Sequence, residues 1–354
     1  MCAPSLSAPV HPPFPPFFNP SPVWSSTGAF LFLESVMSKF TRSNPATTVD
    51  LYTEVTNQII TALEAGTTPW VCPWDREHGS LMPTNLTTGR RYRGINVLLL
   101  NLRQIAGGFP TNRWLTFQQA HMLGAHVHRG ESGTRIVFFK LLERDDISAP
   151  DGVNVGRFHA ANDEPSRKVI PLLRSFTVFN EAQVEGLPAH LTWPPTPQPE
   201  GDAHAAAEAL LAQSGAVIQH GGSRAFYSPS LDLIQMPPAE FFVSFERYYS
   251  TALHELTHWT GHPGRCGRTL ANRQHIEAYA FEELVAEMGS AFLSSHCGLQ
   301  GQLHHASYIA SWLEALRNDK RLVFSAASLA QKAVDFLVPE LVSVQATEGL
   351  EVTA

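Results

Sequence analysis

Cysteine is scarce in this sequence, and its four cysteines form no C-x-x-C pair. They are Cys2, Cys72, Cys266 and Cys297. This spacing predicts neither a disulfide framework nor a zinc site built from cysteines. Isolated cysteines are typical of a reducing compartment, so we expect a cytoplasmic protein.

The first 45 residues have the pattern of neither a membrane span nor a signal peptide. The apolar run at 29–33 is too short to cross a bilayer, and no Lys or Arg precedes it. Residues 1–45 are instead rich in Pro, Ser and Phe without periodicity, which predicts a disordered extension. The sequence from Met37 resembles the start of a bacterial protein, so this methionine is a candidate translation start. We expect no membrane partner.

Net positive charge is also missing, because the chain carries −7 overall. That value argues against a protein that binds nucleic acid over its whole surface. The average conceals a basic segment: residues 81–140 contain eight basic residues and one acidic residue, a balance of +7, which leaves −14 for the other residues. Aromatic residues are interleaved with this charge, namely Tyr92, Trp114, Phe117, Phe138 and Phe139.

Basic charge of this kind follows a phosphate backbone, and exposed rings stack on unpaired bases. The segment therefore predicts a surface for single-stranded DNA. The candidate contacts are Arg90, Arg91, Tyr92, Arg93, Arg113, Trp114, Arg129 and Lys140. A solvated basic face is the alternative. Residues 135–140 have the pattern of a strand, so at least one of Phe138 and Phe139 belongs to the core, and Trp114 equally fits a position under its loop.

The run His254-Glu255-x-x-His258 has the spacing of a metal site on a helix. At about 3.6 residues per turn, positions i and i+4 share one face, so both imidazoles can reach one ion. Glu255 lies beside the first histidine, where it can accept a proton from an attacking water. Apolar residues recur at helical spacing before the motif, and Gly261 and Pro263 end the helix. A chance match on a core helix is the alternative.

A catalytic zinc takes three protein ligands and keeps one position open, so a third ligand is needed. The longer metzincin pattern fails, because Gly264 occupies the position of its third histidine. His262 is a candidate, but the Gly-His-Pro-Gly context turns the chain there. The preferred candidate is a glutamate of a second helix at 279–292, as in thermolysin-like enzymes.

Glu283 is the predicted third ligand, and Glu282 is an alternative that the sequence leaves open. Glu283 and Glu287 share one helix face at i and i+4, which costs energy unless a cation or proton is shared. Glu287 is predicted to orient His254 through its second ring nitrogen. We expect Zn²⁺, although His and carboxylate ligands also accept Mn²⁺ or Co²⁺.

The fold class predicted is α+β with two domains, since 354 residues suffice for two domains with a core each. The predicted helices include 51–63, 203–213, 303–317 and 326–337, and the predicted strands include 135–140 and 175–179. Residues 231–236 fit either an edge strand that binds a substrate backbone or an ordinary hairpin. The predicted divisions are the extension 1–45, a DNA-binding domain 46–185, a Pro-rich linker 186–202, a metal domain 203–340 and a flexible tail 341–354.

The N-terminal half resembles the N-terminal domain of the ArdC antirestriction proteins in four motifs. They are Pro83-x-Asn85-x-x-Thr88-Gly89-Arg-Arg-Tyr92-Arg93-Gly94-Ile95-Asn96, Arg113-Trp114-Leu-Thr116, Val178-Phe-Asn180 and Gly186-Leu-Pro188. The C-terminal half resembles the zincin-like (thermolysin-type) metallopeptidase domain of the same family. Its motifs are Tyr249-x-Thr251-x-x-His254-Glu-Leu-Thr-His-Trp-Thr-Gly-His262 and Glu282-Glu-Leu-Val-Ala-Glu287.

The resemblance covers roughly residues 46–335 and implies single-stranded DNA binding, a metal site and carriage on mobile elements, where such proteins shield incoming DNA from restriction. A similar N-terminal domain occurs in TraC-type primases, but too few residues follow the metal helices here for a primase core. If the chain is an enzyme, we expect its substrate to be a protein, such as a restriction enzyme or another host protein. The rival is a non-catalytic protein that coats single-stranded DNA and has a structural or vestigial metal. The presence of Glu255 favours the enzyme, because a purely structural site does not need that carboxylate.

Overall fold

The computed structural model describes residues 50–70, 82–144, 168–191, 203–270, 276–299 and 308–339. The predicted N-terminal extension, most of the predicted Pro-rich linker and the predicted C-terminal tail lie outside these residues. The described chain forms two domains of mixed helix and sheet, which confirms the predicted α+β class. Within it, no helix is both long enough and apolar enough to span a membrane.

The N-terminal domain is built on a four-stranded sheet in the order β1-β2-β5-β4. Its elements are α1 (Leu51–Glu64), β1 (Thr84–Asn85), α2 (Ile95–Gly107), β2 (Arg113–Thr116), α3 (Phe117–Met122), β3 (His126–Val127), β4 (Thr134–Arg144), β5 (Lys168–Asn180) and β6 (Val184–Glu185). Strands β1 and β2 are parallel, whereas β2, β5 and β4 pair in the antiparallel sense. Strands β3 and β6 form a separate antiparallel pair.

Local chemistry explains where these elements begin and how the sheet edge is covered. Asp50 caps α1 by accepting a hydrogen bond from the backbone N–H of Tyr52. Strand β4 lies at the edge of the sheet, where Asn96 of α2 makes two hydrogen bonds of 2.8 Å with the backbone of Val137. The amide of Asn96 thus occupies backbone groups with which a further strand would otherwise pair.

Strands β4 and β5 continue past the rest of the sheet as a two-stranded ribbon. Strand β2 pairs with β5 only between Val178 and Asn180, whereas the β4–β5 pairing extends to Arg144 and Lys168. We use the term ribbon for residues 135–144 and 168–177. Strands β4 and β5 include both predicted strand segments of this region, and each is longer than its prediction.

The C-terminal domain places a small sheet beside a group of helices. Its elements are α4 (Ala203–Gln213), β7 (Val217–His220), β8 (Phe226–Ser228), β9 (Leu233–Met236), α5 (Phe245–Thr260), α6 (Ile276–Cys297), α7 (Ile309–Asn318) and α8 (Leu322–Leu337). The predicted helix at 203–213 is confirmed, and α7 and α8 correspond to the two predicted C-terminal helices over the described residues.

Strand β9 is the central strand of its sheet, which has the order β7-β9-β8. It pairs with β7 in parallel and with β8 in the antiparallel sense. Of the two alternatives for residues 231–236, the free edge strand is wrong because both sides of β9 are already paired, and the hairpin of β8 and β9 is the one observed. Asp232, at a φ of 48°, turns the chain immediately before this strand.

The largest cluster of buried apolar side chains belongs to both domains. It joins Ile59 of α1 and Leu98 of α2 to Leu253 of α5 and Val334 of α8. The N-terminal domain also has smaller clusters of its own, so the expected separation into two cores is only partial. The two domains are distinct in their secondary structure but bury their main apolar surface together.

Candidate metal centre and nucleic-acid surface

Helix α5 carries the H-E-x-x-H residues on its buried side. The helix begins after Ser244, whose side chain accepts a hydrogen bond from the backbone N–H of Arg247 at 3.2 Å. Leu253 packs into the shared core, and the two residues that follow it, His254 and Glu255, are also buried. The amphipathic pattern that predicted the helix therefore also fixes the direction in which the motif points.

Helix α6 packs closely against α5 because small residues meet at their contact. A Cβ atom at Gly289 would lie 2.5 Å from Cγ2 of Thr257, so a glycine is required at this point. Ser290 of α6 donates a hydrogen bond of 2.9 Å to the carbonyl oxygen of Ser250 in α5. This close approach brings the carboxylate of Glu283 to the two histidines of α5.

The three predicted ligand side chains converge. Nε2 of His254 lies 3.5 Å from one carboxylate oxygen of Glu283, and Nε2 of His258 lies 3.7 Å from the other. One donor atom from each of the three residues lies within 4.8 Å of the others. Two ligands about 2.1 Å from a tetrahedral ion are separated by about 3.4 Å. The donor types and their spacing therefore suit a divalent metal ion.

Glu282, the alternative third ligand, lies on the far side of the His258 ring. Its Oε1 is 3.2 Å from Nδ1 of His258, whereas Glu283 approaches Nε2. The Glu282 carboxylate accepts three hydrogen bonds of 2.8 to 3.3 Å from the guanidinium of Arg268. Arg268 also donates to the carbonyl oxygen of Thr257 at 2.6 Å, and it is buried with Glu282. Glu282 is thus a hydrogen-bonding partner of His258 that Arg268 fixes in place.

Arg268 reaches this position because the chain folds back after α5. Its backbone N–H donates to the carbonyl oxygen of Gly261 at 2.9 Å. A Cβ atom at Gly261 would lie 2.6 Å from Cδ2 of Leu270 and 3.1 Å from Nη2 of Arg268, so the glycine provides space for the returning loop. His262 lies in the same loop, where its Nδ1 accepts from the N–H of Gly264 at 3.1 Å, and it is outside the group of converging donors.

Opposing effects set the protonation of this cluster. Burial lowers the pKa of His258, but the hydrogen bond to Glu282 and the charge of Glu283 raise it to about 9. Burial raises the pKa of Glu282, whereas its hydrogen bonds with His258 and Arg268 hold that pKa below its ordinary value. A proton on His258 therefore competes with a metal ion for this ring.

Two further carboxylates are close to the converging donors in the sequence. Glu255 and Glu287 are both buried, with 7% and 1% of their surfaces exposed. Glu255 follows His254 directly on α5, and Glu287 lies one turn beyond Glu283 on α6. The orientation of His254 by Glu287 stays a prediction.

The predicted DNA-contacting arginines are partly used within the protein. The contacts join Arg93 to Asp335 of α8, Arg91 Nη1 to His296 Nδ1 of α6 at 3.0 Å, and Arg113 Nη2 to Glu181 Oε2 at 3.1 Å. A guanidinium has five N–H donors, so these contacts are compatible with a phosphate partner as well. Arg90 and Tyr92 are half-buried, Arg129 is exposed, and the side chain of Lys140 lies outside the described part of the chain.

Trp114 is a correction to the predicted DNA surface. Its ring is fully buried, and its indole N–H donates to Oδ1 of Asn112 at 2.7 Å. It packs with Leu100 and Val178, and the ring of Phe109 meets it edge to face at 5.9 Å. Its prediction as a stacking residue is wrong, because a base can reach the ring only if this part of the core opens. The structural alternative, a position under the loop, is the one observed.

Solved structures with the same fold identify the family. The chain matches the crystal structure of the antirestriction ArdC protein from the R388 plasmid in its metal-free form, with a TM-score of 0.66 and 39% identity. The match covers 83% of this chain and 99% of that chain. This chain belongs to the ArdC antirestriction family. The Mn(II)-bound structure of R388 ArdC matches with a TM-score of 0.65 at the same identity.

Family models divide the chain in the same way. The N-terminal domain of anti-restriction factor ArdC matches residues 49–179, and a zincin-like metallopeptidase domain matches residues 205–329. The two ArdC-type domains thus correspond to the sheet-based N-terminal part and to the part that contains the converging donors.

Relatives of this ArdC-family chain differ greatly in length. A DNA primase TraC of Escherichia coli is 42% identical over 298 residues, which are 80% of this chain and 27% of that protein. The chain therefore spans about a quarter of the length of that primase. The y4eC protein of Sinorhizobium fredii (strain NBRC 101917 / NGR234) is 38% identical over 312 residues, covering 87% of this chain and 98% of that protein.

Sequence reasoning missed Arg268 entirely. It lies ten residues after His258, in a segment without helical or strand periodicity, so no pattern placed it near the histidines. One signal was available in the sequence. Three glutamates lie within six residues of α6, buried carboxylates need cationic partners, and Arg268 is a basic residue between the two helices.

Proposed function

We propose that this ArdC-family chain binds single-stranded DNA and hydrolyses peptide bonds at a zinc centre, thereby protecting incoming DNA from restriction. The observation that carries the catalytic part is the convergence of Glu283 of α6 with His254 and His258 of α5, the helix that also bears Glu255. The Mn(II)-bound form of R388 ArdC supports a divalent metal in this family. The basic segment at 81–140 supports the DNA-binding part.

Each side chain has a role in this proposal. Nε2 of His254, Nε2 of His258 and the carboxylate of Glu283 hold the ion, which we expect to be Zn²⁺, with Mn²⁺ or Co²⁺ accepted as well. A zinc ion held by these residues would supply Lewis-acid chemistry, which lowers the pKa of water to about 7 and polarises a carbonyl. Glu255 accepts the proton of the attacking water and returns it to the leaving amine. Glu287 orients His254.

Glu282 and Arg268 are positioning residues for His258 in this scheme. The carboxylate of Glu282 accepts from Nδ1–H of the ring, which leaves Nε2 as the nitrogen that faces Glu283. Arg268 holds the carboxylate from the other side and compensates its charge. This hydrogen-bonded chain selects the ring tautomer that can bind a metal through Nε2.

The proposed partners are single-stranded DNA and a protein substrate, such as a restriction enzyme or another host protein, in the cytoplasm. The alternative is a non-catalytic protein that coats DNA and has a structural or vestigial metal. Glu255 distinguishes them, because a structural ion needs ligands but no general base.

The metal assignment predicts the behaviour of Glu283→Ala. Two histidines alone hold a divalent ion weakly, so the purified variant should contain almost no metal, whereas the wild-type protein should contain about one ion per chain. Glu277→Ala is the matched control, because Glu277 is exposed on the same helix. The measurement is elemental analysis after dialysis against zinc-free buffer. Full metal content in Glu283→Ala would refute the ligand set, and its loss in His262→Ala would point to His262 instead.

The catalytic part is tested by digestion of an unfolded protein such as casein with the zinc-loaded full chain. We expect cleavage that a chelator stops and that added zinc restores. A metal-loaded protein that leaves unfolded casein and a purified restriction enzyme intact, with and without single-stranded DNA, would favour the DNA-coating alternative.

A further inference from the structure

The ribbon exposes two phenylalanine rings on one face. Neither residue is among the predicted DNA contacts, and of those contacts only Lys140 belongs to the ribbon. Phe138 of β4 and Phe176 of β5 each have 47% of their surface exposed. Their centroids lie 6.2 Å apart with the planes at 80°, so the rings contact each other edge to face and still present apolar surface to solvent. Exposed aromatic surface on an open two-stranded ribbon is costly in water unless a partner covers it.

The ladder register shows what shares that face. Phe138 lies opposite Arg174, and Phe176 lies opposite Ile136. Because residues two apart in a strand share a face, the pairing places positions 140, 144 and 168 on the same face of the ladder as positions 138 and 176. The basic residues at these face positions are Lys140, Arg144, Lys168 and Arg174.

The opposite face of the ribbon is different. It contains Glu143, the one acidic residue within the two strands, and at its base Val137 belongs to a small apolar cluster with Val55 of α1 and Leu99 of α2. There Arg135 forms an ion pair of 2.6 Å with Glu54, and Val137 packs against Val55. The face of Phe138 and Phe176 also packs at its base, where Ile136 contacts the cluster of Leu100, Trp114 and Val178. Beyond that base it exposes the two rings, and the sequence places four basic residues at its positions.

We propose that this face is the stacking platform for the bases of single-stranded DNA, with Phe138 and Phe176 as the stacking residues. Rings accept any base because every base has a π-face, and basic residues at neighbouring positions suit a polyanion. Duplex DNA has its bases already stacked, so the platform selects unpaired strands. The assignment replaces the buried Trp114, and it rests on the proposed DNA-binding function.

The test uses the full chain and a fluorescent oligo(dT), with binding followed by anisotropy at about 50 mM salt, where phosphate contacts are strong. Phe138→Ala and Phe176→Ala should each weaken binding roughly five- to a hundredfold, the effect of losing one stacked base. Phe138→Tyr and Phe176→Tyr should bind oligo(dT) about as tightly as the wild-type protein, because they keep an aromatic ring. Phe226→Ala is the matched control, since Phe226 is 43% exposed on β8, a strand of the other domain.

A second oligonucleotide separates stacking from charge. An abasic strand keeps its phosphates but has no bases. The wild-type protein should therefore bind the abasic strand as weakly as the double Phe→Ala variant binds oligo(dT). The dependence of affinity on salt should be the same for wild type and variant, because no phosphate contact is removed.

The remaining outcomes distinguish failure of the proposed DNA-binding function from failure of the proposed platform. If the wild-type chain does not bind oligo(dT), the proposed DNA-binding function fails. If the wild-type chain binds oligo(dT) and the folded double variant binds equally well, or if Phe226→Ala loses as much affinity, the platform is refuted while DNA binding stands. If the variants change only the oligomeric state in gel filtration, the face is a contact between proteins and the platform is likewise refuted.

Discussion

Arg268 is the residue that stabilises the charge arrangement around His258. It lies buried beside Glu282 and donates three hydrogen bonds to that carboxylate, which in turn holds Nδ1 of the ring. Without the guanidinium, the buried carboxylate of Glu282 would lose the hydrogen bonds and the positive charge that Arg268 supplies. Breaking one side of a buried pair is much more costly than removing both.

We therefore predict that Arg268→Ala lowers the free energy of unfolding of the metal-free protein by about 3–5 kcal/mol. Arg224→Ala is the control, because Arg224 is exposed in the same domain, and its effect should stay within about 0.5 kcal/mol. Denaturant unfolding of both variants measures the difference. Equal stabilities would mean that Arg268 contributes nothing to holding Glu282.

For individual residues, the sequence predicted the side chains that could ligate a metal, but not Glu282 and Arg268 as the hydrogen-bonded residues beside His258. The spacing of His254 and His258 is a property of one helix, so it could be predicted directly. Whether Glu282 or Glu283 faces the histidines depends on the rotation of α6, because neighbouring helical residues point about 100° apart. That rotation follows from the contact between α5 and α6, which no local pattern contains.

The contact between α5 and α6 is the element-scale feature on which the site depends. At Gly289 the backbone of α6 approaches Thr257 so closely that a Cβ would lie 2.5 Å from Cγ2 and 2.8 Å from Oγ1. The distance between the two helices in turn sets the distance between Glu283 and the histidines.

Gly289→Ala should therefore destabilise the protein by about 1–3 kcal/mol, the usual cost of overpacking. The same substitution in a Thr257→Ala background should cost clearly less, because the colliding atoms are gone. Denaturant unfolding of the four proteins forms a double-mutant cycle that isolates this coupling. Additive effects would show that the two residues do not limit the approach of the helices.

Strand pairing marks the limit of prediction for elements. The alternation around residues 231–236 predicted a strand correctly, yet the pattern does not reveal whether neighbours lie on one side or on both. Strand β9 proved to be central because β7 and β8, both short, pair with it from either side. The ribbon likewise extends beyond the predicted strands, since backbone pairing between β4 and β5 continues past the apolar pattern.

The whole molecule is held together by a core and by polar contacts that join the two domains. Arg93 pairs with Asp335, and the backbone N–H of Gly94 donates to Gln331 of the same helix at 3.1 Å. These contacts use the motif that the sequence assigned to DNA alone. Long-range packing of this kind leaves no periodic trace, so the Pro-rich segment suggested a separation that the shared core does not have.

A shared core predicts cooperative unfolding of both domains. In scanning calorimetry of the metal-free full chain we expect a single transition whose calorimetric and van't Hoff enthalpies agree. Arg93→Ala should shift this transition to lower temperature without splitting it. Two resolved transitions in the wild-type protein would contradict the shared core as the main source of stability.

The most direct test of the central claim compares wild type and Glu255→Gln in protecting transferred DNA from restriction at equal expression. Glutamine keeps the shape of the side chain but cannot accept a proton at neutral pH, so metal content and oligo(dT) affinity should be unchanged. Peptide hydrolysis should fall by roughly two to four orders of magnitude. Protection should be lost together with hydrolysis, and full protection by Glu255→Gln would contradict the proposal that hydrolysis protects the DNA.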